Sequence, residues 1–257
     1  MNGTRTAITI PFPDGGERHL RITVGACRLT ITRGGGPAWV TGTYDDPTRS
    51  VPCRIAQEGG VVRITQEPQL TQLLGISPGV PTFDLALGAA RPYTLTIETG
   101  ASDTTADLGG LPLTRLIVKL GAGKNVLRFS EPNPQTMSTF DLDAGASSME
   151  IYSLANANVA DMRLNGGAAA ATCDFGGTLQ RDAYVRISTG LSAVDLRVPR
   201  ATAARIISEA VLGQLEASNG FTTREGGYWT DAALAGGTPV LTIHAHVALG
   251  SLRLHAT

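Results

Sequence analysis

Two of the four histidines, His244 and His246, flank a single alanine. On a strand, that spacing aims both imidazoles to one face. A carboxylate alongside would complete a two-histidine, one-carboxylate set of the kind that holds transition metals. The repeat frame described below brings Glu209 beside His246, so the geometry permits such a site; an exposed polar face is the plainer reading of the same residues. Gly121-Ala122-Gly123-Lys124-Asn125 has a lysine after glycines, but no Ser or Thr follows it and it reads as a turn. No His-Glu-x-x-His occurs. No catalytic residues, assigned metal ligands or cofactor are therefore expected, and the chain does not read as an enzyme.

Cys27, Cys53 and Cys173 are odd in number and far apart. They lack both the paired spacing of a zinc site and the even count of a disulfide framework. Free buried thiols in a reducing compartment are the expectation.

The remaining composition narrows the function classes. The 257 residues carry 21 Lys+Arg against 22 Asp+Glu, a net charge of -1 without a basic block. That leaves no electrostatic footprint for nucleic acid. No window is apolar for the roughly 18 residues a spanning helix needs, so no membrane insertion is expected. Met1 to Gly16 alternates like a strand and does not resemble a secretory signal. The expected location is cytoplasmic, or peripheral to the cell envelope.

The elements that must carry these side chains are set by a repeat. Ser102, Gly123, Ser147, Ala169, Ser192 and Gly213 are separated by 21, 24, 22, 23 and 21 residues. Seven before each stand Leu95, Leu116, Phe140, Met162, Val185 and Ile206; five before stand Ile97, Val118, Leu142, Leu164, Ile187 and Ser208. Four after come Ala106, Leu127, Ile151, Cys173, Leu196 and Ala217. The same frame fits around Cys27 and around Gly250. Within each copy apolar and polar residues alternate on both sides of a glycine-containing turn, the period of strands buried on one face. A 22-residue unit buries too little alone and must stack on its neighbours. The fold class predicted is all-β, a β-solenoid of ~22-residue coils with capping strands at both ends. At about 3.3 Å per residue and 4.8 Å per step, each coil has a contour of roughly 70 Å and the stack is about 30 to 40 Å tall.

Polar positions follow the same frame. Glu98 meets Lys119, Asp141 meets Arg163, Asp107 precedes Arg128 and Asp174 precedes Arg197, as cross-strand pairs should; Arg163 before Arg186 is the exception. Residues 1–67 form strand-like runs that close one end of the stack, 68–81 bridge, and 82–257 hold the repeats with a C-terminal cap. In that cap Phe221, Tyr228 and Trp229 form the tightest aromatic cluster. They either cover the last coil, whose bare edge would invite aggregation, or present a patch to a partner.

Leu212-Gly213-Gln214-Leu215-Glu216, Gly220-Phe221, Gly227-Tyr228, Leu241-Thr242-Ile243 and Leu249-Gly250-Ser251-Leu252-Arg253-Leu254 resemble the end of bacterial toastrack-type domains, β-repeat modules related to LiaF-like cell-wall-stress proteins and to an adhesin-type repeat family. The resemblance is clearest over 200–257 and looser back to about 90. It implies a bacterial, non-enzymatic module in envelope-stress sensing or protein contact, commonly joined to membrane helices, none of which is expected in this sequence. A scaffold with a protein partner or self-association is the leading reading. A solenoid enzyme or binder acting on cell-wall glycan is the alternative, and it would be favoured by aromatics and carboxylates lining a groove along the coils.

Overall fold

The computed structural model describes residues 5–47, 51–66 and 79–257. The expected all-β fold is observed: the described strands join in one hydrogen-bonded sheet, and the one α-helix among them, α1 (Asp231–Leu234), is a single turn. Of the bridging stretch 68–81, residues up to 78 lie outside the described part.

The repeat appears as parallel register. Strands β2 (His19–Val24) and β3 (Cys27–Arg33) both pair with the two halves of β8 (Tyr93–Asp107). β8 pairs with β9 (Leu113–Arg128), which pairs with β10 (Met137–Ala144) and β11 (Ser147–Tyr152). These lie on β12 (Val159–Asp174), and β12 lies on β13 (Ala183–Val198). Leu95, Leu116, Phe140, Met162 and Val185 thus form one line across the sheet, all buried. Alternate residues in both halves of the long strands enter one hydrophobic core. Near the middle of β9, glycine is required: Gly123 has φ +130°, and a Cβ there would run into the Ser102 carbonyl oxygen of β8.

The order of the last long strands departs from chain order. β13 does not contact β14 (Ala203–Ala217) as its parallel neighbour; β17 (Val240–Ala256) lies between them, in register with both. The hydrophobic frame permits this because Val185, Ile243 and Ile206 occupy equivalent positions and are interchangeable as neighbours.

The ends are antiparallel, which a uniform stack of coils would not be. β5 (Cys53–Glu58) pairs with β6 (Val61–Gln66), and β6 lies parallel beside β2. β1 (Arg5–Pro11), β4 (Ala38–Asp45) and β7 (Thr82–Leu87) form a second antiparallel group that joins β3 through β7. At the other end β15 (Phe221–Arg224) and β16 (Gly227–Thr230) form a hairpin on β14.

Some predicted ion pairs form and others do not. Lys119 lies 3.5 Å from Glu98, and Arg163 lies 3.5 Å from Asp141. The like-charged neighbours Arg163 and Arg186 share Asp161, at 3.5 and 2.7 Å. Asp107, by contrast, accepts hydrogen bonds from the Gly109 and Ser130 amides and the Ser130 hydroxyl, and Asp174 accepts from the Gly176 amide. Both sit where the chain turns, and unpaired amides there are better partners than a flexible, solvated arginine. Arg128 instead stacks over the Tyr152 ring, 5.0 Å from its centroid.

Turns are also held by buried asparagines that the periodicity does not reveal. Asn133 Nδ2 donates to Leu113 O, Asn156 Nδ2 to Phe129 O, and Asn158 Nδ2 to Gln135 O. Each ties one coil's turn to the preceding one, satisfying carbonyls that would otherwise be buried without a partner.

Candidate functional site

In each long strand the residues between core positions point to an outer face, and parallel register lines them into rows. Inserting β17 between β13 and β14 joins the rows at the C-terminal end. Tyr184 lies beside Thr242, Thr242 beside Arg205, and Arg205 beside Trp229. The next row runs Arg186, His244, Ile207, Gly227, and the one after that Ser188, His246, Glu209.

These side chains interlock. The Tyr184 and His244 rings are tilted together with centroids 5.0 Å apart, and the Arg186 guanidinium lies 5.1 Å over Tyr184 while donating to both oxygens of Asp161. Trp229 lies between two guanidiniums, Arg205 at 5.6 Å and Arg224 at 5.9 Å, and its indole Nε1–H donates to Arg224 O. Such cation–π contacts are each worth about 0.5–1 kcal/mol on a wet surface, enough to hold flat rings and long side chains in defined positions. A shallow groove of about 260 Å³ runs between Tyr184, Arg186, Glu209, His244 and His246.

The sequence-predicted residues fall into place unequally. Glu209 does lie beside His246 in register. The metal geometry is not formed: among the described residues no group of three His, Cys, Asp or Glu side chains is close enough to hold an ion. The His244 ring is engaged by Tyr184, and Arg186, its neighbour in register, would repel a cation. Phe221 and Tyr228 pack half-buried against the core, whereas Trp229 lies on the outer face. The hairpin is anchored by Thr230, fully buried, whose hydroxyl donates to Thr202 O, accepts from Ala204 N and caps α1 through Ala233 N. The hairpin covers the backbone edge of β14 over Arg205–Ile207. Tyr184, Arg186 and Arg205 were not predicted as site residues. The interposition of β17 brings them to His244 and Trp229, and no local pattern in the sequence encodes it.

Cys27, Cys53 and Cys173 are free thiols. Burial pushes Cys27 and Cys173 up to about 12 and the half-buried Cys53 up to about 11. Of the aromatics in the repeats, Phe129, Phe140 and Phe175 are fully buried in the core, and Tyr184 lines the groove beside His244. No helix among the described residues is long and apolar enough to cross a membrane.

Comparison with known proteins bears on this geometry. The chain has the fold of a Bacteroides fragilis candidate adhesin, at 10% identity, with a TM-score of 0.50 over 98% of this chain and 97% of that one. A Clostridium sporogenes candidate cell-adhesion protein aligns over the whole of both chains at 14% identity and a TM-score of 0.48. No curated protein matches the chain in sequence. The family model for the N-terminal domain of toast_rack, DUF2154, matches residues 2–152. That match lies toward the N-terminus, whereas the toastrack-like motifs are clearest over 200–257. With more than half of its length matched, the chain belongs to the toast_rack N-terminal domain family.

Proposed function

We propose that this chain is a non-enzymatic binding scaffold: a short solenoid-type stack, closed by the antiparallel strands β1, β4 and β5 at one end and by the β15–β16 hairpin at the other, that presents the outer face of β13, β17 and β14 to a protein partner. The observation that carries this reading is the joined row of Tyr184, Arg186, His244, Arg205 and Trp229, in which aromatic and arginine side chains are pre-ordered by stacking yet remain accessible to solvent. Such residues are the usual energetic anchors of protein interfaces, and ordering them in advance lowers the entropy lost on binding. Cytoplasmic placement at the periphery of a bacterial envelope, and a part in envelope-stress response, belong to the same reading. The groove beside Tyr184 spans only three strands, so a cell-wall glycan is the weaker occupant.

The test is comparative. Proteins cross-linked to the wild-type chain in its source cell should be lost with Arg186→Ala and with Trp229→Ala, at unchanged abundance of the bait. Capture unaffected by either variant would remove this face from the interface. Co-sedimentation with purified peptidoglycan that the same variants abolish would move the reading to the glycan.

A further inference from the structure

The opposite end of the outer face carries a second, differently built feature. A polar cleft of about 540 Å³ opens where β2, β8, β9 and β10 begin. Arg18 and Arg115 line it together with the hydroxyl residues Thr94, Thr114, Thr136 and Ser138, contributed by successive coils. His19, Thr94 and Arg115 occupy one row across three strands. One row further along, Arg21 lies directly opposite Arg63 on β6.

Like charges directly opposite on neighbouring strands cost stability, and the counter-charge of Arg63 among the described residues is Glu58, at 3.6 Å and largely exposed. Arg115 lies 3.7 Å from Asp141, beyond hydrogen-bond length, and Asp141 also serves Arg163 at 3.5 Å. The guanidinium of Arg115 therefore keeps its donors available to a ligand in the cleft. Glu17, on the rim, is the carboxylate that opposes an anion there. His19 senses the imbalance. Its Nε2 bonds the buried Thr96 hydroxyl at 2.8 Å, and burial, then Arg21, Arg63 and Arg115, lower its pKa from 6.5.

We propose that this cleft binds a phosphate oxyanion, with Arg115 and Arg18 supplying charge and the threonine and serine hydroxyls supplying neutral donors. Guanidinium groups match the geometry of phosphate oxygens, and hydroxyls on consecutive coils repeat at the strand spacing of about 4.8 Å, so two coils reach one tetrahedral group. The phosphate can come from a soluble phosphomonoester or from a phospholipid headgroup, and the experiment separates these sources.

Binding of inorganic phosphate and of glycerol phosphate is followed by calorimetry and by the His19 ring resonances. Co-sedimentation is measured with vesicles of phosphatidylcholine alone and of phosphatidylcholine mixed with phosphatidic acid. Arg115→Gln should weaken binding about tenfold or more while the melting temperature holds, because the side chain is exposed. Arg21→Gln should also weaken binding but not lower the melting temperature, since it relieves a like-charge contact; loss of fold would move both in the same direction. Arg253→Gln, which removes a similar surface charge on β17 outside the cleft and shares no carboxylate with Arg115, should leave binding unchanged. Binding of the soluble phosphates with this pattern establishes the site as one for soluble ligands; binding only to phosphatidate vesicles with the same pattern establishes it for a headgroup. No binding in either arm, or binding indifferent to Arg115→Gln, overturns the proposal.

Discussion

Truncation of Leu142 to alanine tests the stacked core where it is most regular. Leu142 is fully buried, flanked in register by Val118 on one side and Leu164 on the other. The change removes about three carbon groups, worth roughly 2.4 kcal/mol at about 0.8 kcal/mol each. The hole they leave adds a penalty, because neighbours held by parallel strands above and below have little freedom to collapse, and the total falls at about 3–5 kcal/mol. In a domain of this size each kcal/mol lowers the melting temperature by about 2–4 °C, so calorimetry should show a drop of roughly 6–20 °C. Asp143, the next residue, lies on the outer face and accepts a hydrogen bond from exposed Asn165. Asp143→Ala should therefore cost no more than about half a kcal/mol. Leu142→Ala and Leu164→Ala combined should depart from additivity, since the two side chains share one cavity. Equal sensitivity at 142 and 143, or strict additivity of the two leucine variants, would refute the assignment of inward and outward positions.

Other perturbations separate further parts of the account. Gly123→Ala should destabilise by more than about 1 kcal/mol in urea unfolding, because its positive φ and the Ser102 carbonyl both exclude a Cβ. Tyr228→Ala should lower the melting temperature and promote aggregation, as removal of a cap does, whereas Trp229→Ala should change the melting temperature little and weaken partner binding. None of the three thiols should react quickly with a disulfide reagent at neutral pH in the folded state. Their pKa values are raised on folding from 9.0 to about 11 or 12, so the thiolate is favoured in the unfolded chain; stability should be unaffected by them below about pH 9 and fall as pH rises from there, which alkaline denaturation midpoints of Cys173→Ala against wild type would show.

The line from Leu95 to Val185 could be read directly from the sequence, since in a parallel stack a constant spacing in sequence becomes adjacency in space. The same regularity hides the order of the last coils. Ile206, Ile243 and Val185 present equivalent side chains to their neighbours, so the repeat itself does not select β17 as the strand between β13 and β14. The Tyr184–His244 contact, and with it most of the candidate face, depends on that choice. Charges were legible where both partners stand mid-strand, as with Lys119 and Glu98, and misread at Asp107, where local backbone amides compete for the carboxylate. His244, His246 and Glu209 show how far register alone reaches: it aligned His246 with Glu209 but could not foresee that Tyr184 would engage the His244 ring.

Site-specific photocross-linking in the source cell tests the central claim most directly. A photoreactive residue replaces exposed His246, on the proposed contact face, or exposed Arg197, on the other half of β13. The account predicts a discrete cross-linked protein species from position 246, lost when Trp229→Ala or Arg186→Ala is added, and none from position 197. The same species from both positions, or none from 246 while the protein remains folded and abundant, would contradict it.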